Sequence, residues 1–311
     1  MFRRSSNRSK PRHWKALLEN KHLLNEREFL HAFGMSRSSF HSLLNMLNTH
    51  DTAAADYKEM FPVCLLILLK FLGSQGNATL YTSIGCYLWI GYGSVSNYIK
   101  AAITMVLRLK DKVFFRPDIN KREEISKRFN RDYSFVNCIG VVDGTIFPLE
   151  YKLLLNGEDY YNRKGRYGIH SLVICDDQAR ICASTMGWPG SVYDNRVWRR
   201  SRFMQNQEVY FNEKQYLLGD SAFHPSNIMV PPFKKPFGTE LDKYKSFFNT
   251  MLAKPRIKPE HCIGLLKGKF PYLKRIRVLI IRRKDMIQIN RILMVASILQ
   301  NLMLSEDYPD K

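Results

Sequence analysis

The apolar positions change period once along the chain. From about residue 14 to 129 they recur every three or four residues. In WKALLENKHLLNEREFLHAF, Leu17, Leu18, Leu24, Phe29, Leu30 and Phe33 fall at roughly helical spacing, the pattern of an amphipathic helix. Gly34 supplies a stop, and Ser36 restarts a helix at SRSSFHSLLNML. The stretch ATLYTSIGCYLWIGYGSVSNYIKAAITMVLRL reads as a helix, a turn at Gly91 and Gly93, and a second helix capped by Ser94. That is the outline of a helix-turn-helix, with Ser96, Asn97 and Lys100 on its second helix as candidate DNA contacts. Two helices around a glycine turn also occur in ordinary all-α domains, where the pair would be a buried brace.

Beyond Arg131 the runs shorten and fill with Val, Ile and aromatic residues. Strands are expected at 135–142, 168–175, 181–186 and 215–218, separated by polar turns such as DDQAR, with a helix over 192–203. Near the end, Ile289, Ile292, Leu293, Ala296, Leu299 and Met303 form one stripe of a helix that covers a core. The order predicts an α/β layer with hairpins at its start. Four segments result: a basic tail over 1–15, an all-α domain over 16–130, an α/β domain over 131–285 and a packing helix over 286–311.

A chain of 311 residues with 45% apolar composition has material for one large or two ordinary cores. The longest apolar run, 61–72, is interrupted by Lys70 and falls short of the roughly 20 residues that cross a bilayer. The segment MFRRSSNRSKPR leads into no apolar stretch of the secretory kind. Both point to a protein inside the cell with no membrane partner. The six cysteines contain no C-x-x-C pair, which argues against a zinc site. Cys64, Cys138, Cys175 and Cys182 lie in apolar runs and read as small hydrophobes.

Charge adds the first functional information, a formal net charge of +20. Arg3, Arg4, Arg8, Lys10, Arg12 and Lys15 face no acid in the tail, and the stretch 254–291 holds twelve Lys and Arg against Glu260 and Asp285. Clustering of this kind fits a polyanion, nucleic acid before any other. Within that block, Lys267, Lys269 and Lys274 are the candidate phosphate contacts.

Four acids stand beside small residues at expected strand ends or helix starts. Asp143 follows CIGVV, Asp220 follows QYLLG, Asp194 lies in GWPGSVYDNRVW, and Glu260 follows Pro259 at an expected helix start. Singly, each has an ordinary explanation as a turn former or cap. Together in a basic chain they suggest carboxylates gathered around divalent ions, with Mg²⁺ the natural guest of oxygen ligands. Two such ions about 4 Å apart support in-line phosphoryl displacement. No phosphate-binding glycine loop, dinucleotide fingerprint, serine elbow or H-E-x-x-H is present. His170 and His224 read as structural or substrate-side residues.

The series VVDGTIFPLE, DYYNRKGRYGIHSLVICD, GWPGSVYDNRVW, LLGDSAFHPSNIMVPPFK and FFNTMLAKPRIKPEHCIGLLKGKFPYLK, in register over about 137–275, resembles the PIF/Harbinger transposases and the nucleases derived from them. The resemblance implies an RNase H-like domain with a DDE triad of Asp143, Asp220 and Glu260, and Asp194 as a further metal-binding acid. It implies Mg²⁺ or Mn²⁺, cutting and joining of double-stranded DNA at transposon terminal inverted repeats, and homo-oligomers on DNA. A Myb-like partner and a nuclear location also follow from it. Tyr161, Arg163 and Lys164 match the family's basic turn, with Arg163 and Lys164 as DNA contacts. The chain departs from the family at Ile146, where most relatives carry the histidine of DGTH, and at Pro259. The alternative on the same scaffold is a catalytically silent, domesticated DNA- or chromatin-binding protein.

Overall fold

The computed structural model describes residues 13–50, 60–113 and 119–307. The tail residues Arg3, Arg4, Arg8, Lys10 and Arg12 lie outside this range. The chain forms two compact units, Met1–Arg108 with Phe270–Tyr272, and Leu109–Lys269 with Leu273–Lys311.

The described part of the first unit is helical: α1 (His13–Glu19), α2 (Glu26–Phe33), α3 (Arg37–His50), α4 (Phe61–Leu72), α5 (Tyr81–Leu88) and α6 (Tyr92–Leu107). The helix expected across 14–33 is two helices. Asn25 and Glu28 form a reciprocal capping box that starts α2 afresh. Gly34 ends α2 at φ 74°, a left-handed turn natural to glycine, and its N–H reaches the Leu30 carbonyl at 2.7 Å. The buried Arg37 guanidinium donates to the carbonyls of Leu17 and Leu18, satisfying the end of α1. α4 is apolar on nearly every side and almost wholly buried. The turn between α5 and α6 differs from expectation. Trp89 takes the left-handed position, Gly91 caps α6, and Gly93 and Ser94 lie inside that helix.

The second unit continues with α7 (Lys110–Val113), α8 (Ile119–Tyr133), β1 (Cys138–Pro148), β2 (Gly168–Cys175), β3 (Ile181–Pro189), α9 (Asp194–Arg199), α10 (Arg202–Gln205), α11 (Gln207–Tyr210), β4 (Tyr216–Leu218), β5 (Met229–Val230), α12 (Lys243–Lys269) and α13 (Arg283–Asp307). The five strands form one mixed sheet in the order β3-β2-β1-β4-β5. β1, β2 and β3 pair antiparallel, whereas β4 and β5 join parallel to β1. β2 is buried along its whole length, and alternation sends its residues to two cores. Leu172 and Ile174 pack with Ile125, Phe129, Val197 and Trp198. Val173 and Cys175 pack with Cys262 and Ile263 of α12. This mixed sheet flanked by helices is consistent with an RNase H-like DDE domain.

Three differences from the sequence expectation bear on the site. β1 runs on to Pro148 because β2 pairs with it as far as Pro148↔Gly168, so Asp143 lies within a strand. The helix expected over 192–203 is broken, since Ser201 accepts from the Met204 N–H and starts α10. Glu260 sits deep in the 27-residue α12, which carries Pro255 and Pro259 in its interior. Each proline removes one helical N–H donor, yet both rings are buried with Leu252, Cys262, Ile263 and Leu266. Packing of that stripe carries the helix through both prolines. α13 is apolar and long enough to cross a membrane by composition, but two thirds of its window is buried in this fold. The Asn301 amide bonds both ways to the Ile181 backbone, at 2.9 and 2.8 Å, fixing α13 to the edge strand β3.

Candidate active site

Parallel pairing brings the first two acids side by side. Val141 of β1 is in register with Leu218 of β4, and two residues further along each chain come Asp143 and Asp220. β4 stops there, so the sheet opens beside Asp143. The Asp143 carboxylate accepts the Gly144 N–H at 2.8 Å, and Asp220 accepts the Ala222 N–H at 2.9 Å. Burial pushes the Asp143 carboxyl up to about 6, helped by the negative charges of Asp220, Asp194 and Glu260 and opposed by the Gly144 hydrogen bond. Three of the four acids named from the sequence therefore act on the carboxyl group of the fourth. Among the described residues, no three His, Cys, Asp or Glu side chains stand close enough to grip an ion as they are.

Asp194, in the first turn of α9, is held from β2. Its Oδ1 lies 2.7 Å from Nε2 of His170, which is only 3% exposed. A carboxylate accepts, so Nε2 carries the proton and the buried Nδ1 is left without a partner. This pair explains the glycine after Asp143. A Cβ on Gly144 would overlap Asp194 Oδ1 and come within 3.1 Å of His170 Nε2. His170 stands opposite Ile146 across the β1–β2 ladder, so an imidazole reaches the site from β2 where the family pattern places one on β1.

Asp194 and Asp220 line a cleft of about 1430 Å³, with cations from several elements around it: Arg163, Lys164 and Arg166 from the turn before β2, Lys234, and Lys267 from α12. Lys267 Nζ donates to Thr145 Oγ1 at 2.7 Å and to the Ile146 carbonyl at 2.9 Å, and lies over the Phe147 ring. Burial, with Lys164 nearby, brings its amine down to about 8, against the pull of Asp143. Lys234 is positioned through its neighbour Phe233, whose backbone exchanges two hydrogen bonds with the Asn249 amide of α12.

The remaining candidates are spread more widely. Glu260 is exposed on α12 and lies outside the cleft lining. Lys269 ends α12 and Lys274 is exposed beyond it. In the other unit, Asn97 and Lys100 are exposed and Ser96 half-buried on α6, whose Val95, Ile99 and Ile103 face inward. Arg166 and Lys234 were not singled out by the sequence reading. Arg166 follows the basic turn by two residues and was within reach of it, whereas Lys234 is brought in only by the Asn249 clamp.

Residues 142–301, about half the chain, match the DDE superfamily endonuclease family. The chain is 27% identical over 173 residues to the candidate nuclease HARBI1 of Bos taurus, and 28% identical over 173 residues to that of Mus musculus. In both cases the match covers 54% of this chain and 48% of the relative. It is 22% identical over 260 residues to the protein Antagonist of Like Heterochromatin Protein 1 of Arabidopsis thaliana, covering 73% of this chain and 60% of the relative. The chain thus spans about half the length of the HARBI1 proteins it matches. No solved structure matches it. With the acids arranged around Asp143 and a matching family over half its length, the chain belongs to the DDE superfamily endonucleases, as a Harbinger-type member.

Proposed function

We propose that this protein is a divalent-metal-dependent DNA endonuclease of the transposase type, with Asp143, Asp220 and Glu260 as its catalytic acids and Asp194 as a fourth metal ligand. The observation that carries the reading is the juxtaposition of Asp143 and Asp220 through the Val141↔Leu218 register, beside a cleft rich in Lys and Arg. The donor set fits Mg²⁺ or Mn²⁺, being carboxylate oxygen throughout. Burial raises Asp143 first and the negative charges of Asp220, Asp194 and Glu260 add to it, and a dication would relieve that added charge. When bound, such ions supply Lewis-acid activation of the attacking oxygen and stabilisation of the leaving one. The chain's own residues do the rest. His170 orients Asp194, Asp143 and Asp220 present their oxygens from adjacent strands, and Arg163, Lys164, Arg166 and Lys234 attract the phosphate backbone. Lys267 sets one cation at the cleft floor.

The substrate on this reading is double-stranded DNA, with transposon ends as the sites cut and joined. α5 and α6 act as a helix-turn-helix-like element in which Asn97, Lys100 and Ser96 face DNA. The setting is the nucleus, with assembly on DNA as a homo-oligomer and with a Myb-like partner. The test is strand cleavage of transposon-end DNA by the full chain with Mg²⁺ or Mn²⁺. Asp220→Ala is expected to remove cleavage while DNA binding persists, and wild-type cleavage by that variant would end the assignment.

A silent DNA- or chromatin-binding protein is the second reading. The exposed Glu260, outside the cleft lining, favours it, and so does the name of the Arabidopsis relative, which refers to a heterochromatin protein. Metal-independent binding with no cleavage by the wild-type chain would establish it.

A further inference from the structure

The short helix that delivers Asp194 also carries three arginines. Arg196, Arg199 and the C-cap Arg200 follow i, i+3, i+4 spacing and share a face of α9, while Val197 and Trp198 are buried. The three are exposed. None has a carboxylate partner among the described residues. They line a second cavity of about 680 Å³ together with Tyr193, Asn195, Ala222 and His224. Tyr193 and Ala222 also line the carboxylate cleft, so the two cavities adjoin across them. The Asn195 side chain accepts the His224 N–H at 3.1 Å, which ties the loop after Asp220 to α9. Tyr193 itself is 75% exposed.

We propose that this arginine cleft is a DNA-backbone site: it takes the phosphates of the strand flanking the scissile bond, while Tyr193 stacks on a base at the junction of the two cavities. The proposal rests on the nuclease reading above and names where its substrate runs. Three unpaired guanidiniums on one face, without an acid among them, suit phosphate oxygens, which Arg binds through two parallel N–H donors. Asp194 and Arg199 lie about 7.5 Å apart along the helix axis. That places the phosphate held by Arg199 on the strand flanking the carboxylates, within reach of the same bound duplex. An aromatic ring open to solvent beside such a track is the usual platform for an unstacked base.

The experiment titrates the full chain against a fluorescent 30-base-pair duplex with a short single-stranded tail, in EDTA, across a KCl series. Each phosphate contact adds about 0.9 to the slope of log affinity against log salt. The variant R196A/R199A/R200A is therefore expected to flatten the slope by about 2.7. R196K/R199K/R200K keeps it, since the charges remain. K110A/K112A/K127A removes the same charge from residues that line neither cavity, and lowers the slope by less than one contact's worth. Tyr193→Ala weakens binding of the tailed duplex at unchanged slope, and Tyr193→Phe restores it. An unchanged slope in the alanine triple, or an equal loss in the control triple, would overturn the arginine track alone. A wild-type chain with no salt-dependent binding would overturn the DNA reading and the track together.

Discussion

At the scale of single residues, the site depends on how closely Gly144 and Asp194 approach. The Asp194 carboxylate occupies the space a Cβ on Gly144 would fill. In Gly144→Ala the carboxylate must swing away and break its bond to His170, although the backbone there is ordinary β-strand. Metal-dependent cleavage should fall at least tenfold while the unfolding midpoint drops by only a few degrees, because the displaced group is a side-chain end. Wild-type cleavage by Gly144→Ala would show that Asp194 need not be held. Asp143 yields a pH-dependent expectation. Its carboxyl is raised to about 6 from an ordinary 3.8, so the folded state holds the proton more tightly than the unfolded chain does. That difference costs stability progressively as pH rises from about 4 to 6, and the full cost persists above. Asp143→Asn should therefore match wild type near pH 4 and exceed it by up to about 3 kcal/mol at pH 8 in EDTA. Saturating Mn²⁺ should stabilise the wild type and leave the variant unmoved. Parallel stability curves for the two proteins in EDTA would show that the carboxyl is not raised.

At the scale of elements, α12 carries both Glu260, the third of the proposed acids, and Lys267, which lines the cleft. Glu260 and Lys267 are seven residues apart, two helical turns, and so share a face roughly 10 Å apart along the axis. Between them, a Cβ at Gly264 would meet nothing within 4 Å. Gly264→Ala should stabilise the protein by about 0.5–1 kcal/mol through helix propensity alone, with cleavage unchanged. A loss of stability would mean that α12 is not continuous through this position. This helix also marks how far the sequence could be read. The strand runs at 168–175 and 181–186 were legible because their apolar residues are local and continuous, and the stripe from Ile289 to Met303 announced α13. Pro259 suggested a helix start because proline ordinarily breaks a helix interior. The packing of Pro255 and Pro259 against the core, which overrides that preference, is a tertiary fact. Asp143 was recognisable as a site residue, but its place inside β1 was not, since only pairing with β2 extends the strand to Pro148. His170 carried no local sign of its tie to Asp194, 24 residues away. β5, two residues long, was too short to leave a pattern.

At the scale of the whole molecule, the proposed function assigns the charge of +20 to holding DNA and the carboxylates around Asp143 to cutting it. The cations of the cleft reach it from the turn before β2, the segment before α12 and α12 itself, whereas the proposed metal-binding acids come from β1, the end of β4, α9 and, for Glu260, α12 as well. Two different perturbations should therefore separate the two functions. Chelation with EDTA at matched ionic strength acts on the carboxylate side. It should abolish cleavage and leave the dissociation constant for duplex DNA within about threefold, since that affinity arises from counterion release. Salt acts on the other side. With six or more phosphates neutralised, raising KCl from 50 to 200 mM should weaken binding by about 1,000-fold or more, while DNA that remains bound is still cut when Mg²⁺ is present. Both are read from one gel-shift and cleavage series on the same duplex. Cleavage persisting in EDTA would remove the metal from the mechanism, and affinity indifferent to salt would mean that DNA is held by apolar contact instead of by these cations.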